Sequence, residues 1–289
     1  MKCKREFYGE LIGTFLLVLF GCGSVAVSVL FGAHQRLMQI ALAWGFGVML
    51  AIYATRHLSC AHLNPAVSLA MVLGGRMSAR RLPVYVTAQF MGAFLAAAVL
   101  YALFAPSLAE FESVHGIVRG SPDSVRTAMI FGEFYPSPGA GPIARVSLPL
   151  ACAAEAMGTF LLVLLIFSLT EGCNVGRPDN ALSPVFIGLA VTSIICLIAP
   201  LTQAGLNPAR DLAPRLFSWV AGWGDAAFPN ARGGFLYVYV LAPLAGGAIA
   251  SLFFVRVVEP AMNRQTDSCK CQSEPKNNVS NRENSYDRV

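Results

Sequence analysis

Charge is what this sequence has least of. Only 13% of its 289 residues are Asp, Glu, Lys or Arg, about half the share of an ordinary soluble domain. That poverty argues against a water-exposed globule. Cysteines in metal-binding spacing are missing too. Eight are scattered along the chain and only Cys269 and Cys271 stand close together. Most of the others lie in apolar runs, where a free thiol acts as a small hydrophobe. The close pair reads as two free thiols in a polar tail, since no zinc spacing is present. With only four histidines there is no HExxH motif, and no Ser/His or paired-carboxylate spacing supports an intramembrane enzyme. The net charge of +5 has no single basic patch behind it, so nucleic acid is not an expected partner. No cofactor or metal is expected.

What the chain does have is apolar length. Several runs approach about 20 residues, enough to cross a bilayer as a helix, and 55% of the chain is hydrophobic. The class is a polytopic all-α membrane protein. The opening "MKCKREFYGELIGTFLLVLFGC" has the look of a signal peptide, but its apolar run continues past Cys22 to Phe31, and the same words recur in mid-chain.

That recurrence organises the whole sequence. "ELIGTFLLVL" from Glu10 returns as "EAMGTFLLVL" from Glu155, eight of ten positions being identical. "Leu-Asn-Pro-Ala" likewise occurs at Leu63 and, 143 residues later, at Leu206. Each half predicts three spans and a short helix: spans near 7–31, 37–56 and 82–104, then 148–169, 181–200 and 234–257, with short helices beginning at Pro65 and Pro208. Three is odd, so the second half enters the membrane upside down, an inverted 3+3 repeat with its site near the midplane. The expected organisation is an N-terminus over 1–6, a first repeat over 7–104, an outer connecting loop over 105–147, a second repeat over 148–258 and a disordered tail over 259–289. With the N-terminus inside, the inner segments hold 14 of the 21 Lys and Arg residues, so the positive-inside rule places both ends in the cytoplasm of a cell-membrane protein. The sequon at Asn278 would then stay unmodified.

The doubled tripeptide has a physical use. A helix from Pro65 to about Gly75 covers roughly 16 Å, half of a hydrocarbon core about 30 Å thick. Two such helices from opposite faces compose one span, with Asn64 and Asn207 as their N-caps and their positive dipole ends at one midplane point. The non-helical loops before them survive only along an aqueous path. A water or hydroxyl at the junction accepts hydrogen bonds from both amides, so its hydrogens point outward and a proton wire is interrupted. Arg210 is an intramembrane cation and reads as functional by default.

"AHLNPAVS", "HGIVRGSPDSV", "FYPSPG" and "NPARD" with "PRLF" and "VAGWG" resemble the aquaporin and aquaglyceroporin (major intrinsic protein) family, bacterial glycerol facilitators in particular, from about Phe7 to Glu259. The resemblance implies six spans, two half-helices, one pore per subunit and a homotetramer. It implies that Asn64-Pro65-Ala66 and Asn207-Pro208-Ala209 form the pore centre, that Trp44, Ile195, Ala204 and Arg210 form the outer selectivity filter, and that Asp211 marks the glycerol-conducting branch. Glu10 and Glu155 are expected to brace the pore loops rather than relay protons, and His62 to act through its carbonyl. Glycerol facilitators carry glycine and phenylalanine where this chain has Ile195 and Ala204. The Trp, Ile, Ala, Arg set is similar to that of the plant nodulin-like branch.

The expected function is a passive channel for glycerol and other small neutral solutes, passing some water and excluding ions and protons. The alternatives are a channel mainly for metalloid acids or for water. A coupled transporter needs an ionisable coupling site beyond Glu10 and Glu155, and a junctional role leaves no mark in the sequence.

Overall fold

The computed structural model describes residues 2–34, 36–138, 141, 143–228 and 234–263. Six helices among them are long and apolar enough to cross a bilayer: α1 (Lys2–Phe31), α2 (Leu37–Ser59), α4 (Leu82–Val114), α6 (Leu148–Thr170), α7 (Ser183–Thr202) and α9 (Gly234–Asn263). Two short helices, α3 (Pro65–Leu73) and α8 (Pro208–Ser218), precede the last span of each half, and α5 (Val125–Ala128) is one turn in the connection between halves. Both faces of a spanning helix meet apolar surroundings, so large side chains such as Phe20, Phe46, Leu103, Leu197 and Ile249 stay exposed on the outside. They have no reason to turn inward when the solvent is lipid.

The two halves pack alike. In the first, α1 lies against α2 and α4; in the second, α6 lies against α7 and α9. The halves are joined by α2 on α7, and each half-helix rests on the last span of the opposite half, α3 on α9 and α8 on α4. Glycines at equivalent positions permit the closest approaches. A Cβ on Gly92 would lie 2.3 Å from the Leu11 carbonyl oxygen, and one on Gly246 would lie 2.1 Å from that of Ala156. Either methyl would force two helices apart.

Several boundaries differ from those read from the sequence. Residues 105–147 are not all loop, because α4 runs ten residues further, to Val114. Leu108 and Glu112 of this extension are buried. Glu112 there accepts from Arg119 Nη2 at 2.8 Å and from Thr127 Oγ1 at 2.9 Å, while Trp223 Nε1 donates to Thr127 Oγ1 at 2.9 Å. The extension thus supports a cap over one end of the molecule. Residues 1–6 are helical from Lys2 onward. Helix α2 continues to Ser59 and ends where Cys60 turns left-handed at φ 75°. Helix α3 has nine residues rather than 11, because Gly74 caps it and Gly75 takes φ 70°. Helix α7 starts at Ser183, two residues late, with Pro184 in its first turn. The tail begins as helix through Asn263; Cys269, Cys271 and Asn278 lie outside the described residues.

Candidate functional site

The loops before α3 and α8 share an unusual backbone. Cys60, Ala61 and Leu63 have φ of 75°, 53° and 55°, and Gln203, Ala204 and Leu206 have 62°, 63° and 57°. Left-handed geometry costs a non-glycine residue about 1–2 kcal/mol, so six such residues need support. Two buried carboxylates supply it. Glu10 accepts from the backbone N–H of His62 at 2.9 Å and of Leu63 at 2.7 Å. Glu155 accepts from the N–H of Gly205 at 2.9 Å and of Leu206 at 2.7 Å. Gln89 Nε2 and Thr202 Oγ1 complete the two cradles, donating to Glu10 at 2.7 Å and to Glu155 at 2.6 Å. Neither carboxylate lines the cavity described below.

At the junction of the half-helices the asparagines do two things each. Asn64 Oδ1 accepts from Ala66 N at 2.8 Å and Asn207 Oδ1 accepts from Ala209 N at 3.0 Å, the N-cap bonds. Asn64 Nδ2 donates to the Leu206 carbonyl at 2.9 Å, and Asn207 Nδ2 donates to the Leu63 carbonyl at 2.7 Å. Each amide therefore ties its own half-helix to the opposite pore loop. An amide nitrogen carries two hydrogens, so one on each asparagine remains for a passing molecule. Pro65, Ala66, Pro208 and Ala209 are buried at the helix starts and stand outside the lining, while both asparagines are in it.

That lining surrounds a cavity of about 560 Å³. Trp44, Ile195, Ala204 and Arg210 are all part of this lining, and all are buried. The Arg210 guanidinium lies 4.1 Å from the centre of the Trp44 ring. Its Nη2 is ion-paired with Glu133, and its Nη1 has no hydrogen-bond partner among the described residues. A half-helix pair cross-tied from each asparagine to the opposite pore loop, beside an arginine that lines the cavity, decides the assignment. The chain belongs to the major intrinsic protein family. The family model matches residues 1–254.

Relatives within the major intrinsic protein family bear this out. The glycerol uptake facilitator protein of Pseudomonas aeruginosa is 41% identical over 251 residues, covering 86% of each chain. That of Escherichia coli K12 is 41% identical over 256 residues, 88% of this chain and 87% of its own. A propanediol uptake facilitator of Citrobacter freundii is 35% identical over 268 residues, 92% of this chain and 96% of its own. The X-ray structure of the aquaglyceroporin from Plasmodium falciparum superposes with a TM-score of 0.78 at 26% identity, covering 91% of this chain and 99% of the other.

Glu133 is a site residue that sequence reading passed over. It stands in the connection between halves, one residue before the quoted "FYPSPG". It is folded inward by a strut from α8. Asp211 Oδ1 accepts from Glu133 N at 2.8 Å, and Arg215 donates to the Glu133 carbonyl at 2.5 Å and to Asp211 Oδ1 at 2.7 Å. Asp211 thus stands behind the cavity wall, as a brace for the loop that carries Glu133. Burial pushes the Glu133 carboxyl up, to about 7, against the pull of Arg210. The available signal was an acid among apolar neighbours in "MIFGEFY".

His62 lines the cavity, and its ring is tied back: Nδ1 lies 3.2 Å from Ser68 Oγ, which accepts from Gln89 Nε2 at 2.9 Å. Arg56, which also lines the cavity, donates to the Asn180 carbonyl at 2.8 Å, and outside the lining Tyr53 donates to the Ala181 carbonyl at 2.6 Å. Neither residue stood out in the sequence.

Proposed function

We propose that this protein is a passive transmembrane channel for glycerol and other small neutral solutes, that it also passes water, and that it excludes ions and protons. The observation that carries the reading is the cavity wall at Arg210. Trp44 and Ile195 contribute carbon to it, and Arg210, stacked on the Trp44 ring, contributes a guanidinium whose buried Nη1 has no partner among the described residues. A linear polyol has a carbon edge and a hydroxyl edge. Each hydrogen bond it loses to water is replaced at the wall, which lowers its desolvation cost. An ion loses its hydration shell without adequate replacement. Glycerol uptake facilitators among the relatives support the substrate class.

In this reading Asn64 and Asn207 hold the solute oxygen at the midpoint with their remaining N–H groups. The dipoles of α3 and α8, opposed at that point, repel cations. Trp44, Ile195, Ala204 and Arg210 select at the outer end, and the chain catalyses no reaction. Glu10 and Glu155 keep the pore loops in place. The protein sits in the cell membrane with both ends cytoplasmic and assembles as a homotetramer, its exposed apolar faces meeting lipid and neighbouring subunits. The first repeat, the connection and the second repeat act as one unit around each pore.

A second reading follows from Ile195 and Ala204. Ala204 opens space beside Arg210 where an aromatic wall would otherwise stand, which suits compact neutral solutes such as undissociated arsenous or boric acid. Stopped-flow light scattering on vesicles holding the purified protein tests the first reading. Glycerol flux well above empty vesicles, with modest water flux, is expected. Fast water flux with no glycerol flux would sink it.

A further inference from the structure

The four side chains of the filter do not set its width alone. Trp44 needs somewhere to lie, and α1 provides it at one residue. A Cβ built on Gly21 would stand 2.2 Å from Cε3 and from Cζ3 of Trp44 and 2.4 Å from its Cδ2. These are ring atoms of a buried side chain, not the loose end of a flexible one. On the indole's surface the Arg210 guanidinium lies at 4.1 Å. The ring is thus held between the bare backbone of α1 and the cation of the filter.

The duplication sharpens the point. The position equivalent to Gly21 in the second repeat is Ile166, and the position equivalent to Trp44 is Ile187. Both isoleucines line the cavity. So the repeat places two medium side chains at one end of the channel, and a glycine with a tryptophan at the other. A large side chain is matched to a missing one.

We infer that Gly21 is a positioning residue for the selectivity filter: its lack of a side chain lets Trp44 lie back into α1, and this recess sets how far the stacked Trp44–Arg210 pair stands out from the cavity wall. A methyl group at position 21 pushes the indole, and the guanidinium stacked on it, out from the wall and narrows the passage. Water, being small, loses little; glycerol loses much. One methylene in a fitted pocket is worth on the order of tenfold, and a loss of that size in the glycerol-to-water flux ratio is expected. The role rests on the channel reading of the cavity.

The test is stopped-flow measurement of glycerol and water flux, per inserted molecule, for the parent, Gly21→Ala, Trp44→Phe and the double variant. Gly23→Ala is the control in the same helix, since its Cβ would meet only Leu100 at an ordinary 3.4 Å. The ratio should fall in Gly21→Ala, hold in Gly23→Ala, and return in the double variant to the value of Trp44→Phe, which lacks the fused ring that carries Cε3 and Cζ3. An unchanged ratio in Gly21→Ala overturns the inference, as does a fall that Trp44→Phe does not relieve. If Gly21→Ala does not fold, restored folding and flux in the double variant upholds the steric link, and failure of both overturns it. A parent that passes no glycerol instead sinks the channel reading itself.

Discussion

Arg210 is buried as half of an ion pair, and removing one half exposes the other. Glu133 is its ion-pair partner, so on the proposed reading cation exclusion there depends on both residues. Truncating one member of a buried pair leaves an uncompensated charge. In Arg210→Ala the Glu133 carboxyl is left facing a cavity that ions can then enter. Burial already raises that carboxyl to about 7, and loss of the guanidinium raises it further. It is then neutral in mildly acid solution and charged in alkaline solution. The potassium leak of Arg210→Ala vesicles should therefore be small at pH 6 and grow as pH rises beyond 8. The added change Glu133→Gln should abolish the pH-dependent part. A leak that is flat from pH 6 to 9 would contradict the assignment. At Ile195 and Ala204, the double change Ile195→Gly with Ala204→Phe should raise the ratio of glycerol to arsenous acid flux, measured by swelling and by arsenic uptake. An unaltered ratio would mean that these positions do not select. Arg210 was marked in the sequence as a charge in an intramembrane segment, and Trp44 only through the resemblance to glycerol facilitators. Glu133 was not, because nothing local signals that a connecting segment will fold inward and be buried against α8.

The half-helices depend on loops that the chain would not adopt unaided. Glu10 and Glu155 each accept backbone N–H groups from residues that the left-handed turns would otherwise leave unsatisfied. Glu155→Gln replaces an accepting oxygen with a donor that faces the N–H of Gly205 or Leu206. An unsatisfied buried donor costs about 2 kcal/mol, which lowers the thermal midpoint in detergent by roughly 5 °C for a chain of this size. Glu10→Gln should match it, and an unchanged midpoint in both would show that the loops stand without the carboxylates. The starts of α3 and α8 were readable because asparagine and proline suit the cap and first turn. The end of α3 was not, since a glycine's φ is decided by what the next segment must reach. The extension of α4 was hidden for a similar reason: its buried face meets Arg119 and Trp223, whose closeness is tertiary.

At the scale of the molecule, the duplication made the fold legible. Repeated words at matched spacing imposed inversion, and inversion brings two helix N-termini together in the middle of an apolar body. What no repeat can display is the asymmetry laid over it: Trp44 against Ile187, Gly21 against Ile166, and the cation at Arg210 with its partner Glu133. On the proposed reading, the repeat builds the conduit and the asymmetry selects what passes. The measurement that tests this most directly uses one vesicle preparation, with an internal pH dye and light scattering read together under an imposed pH gradient. Glycerol influx should be fast and proportional to its own gradient while the pH gradient persists. Influx that saturates and follows the pH gradient, or a gradient that collapses through the protein, would contradict a passive channel closed to protons.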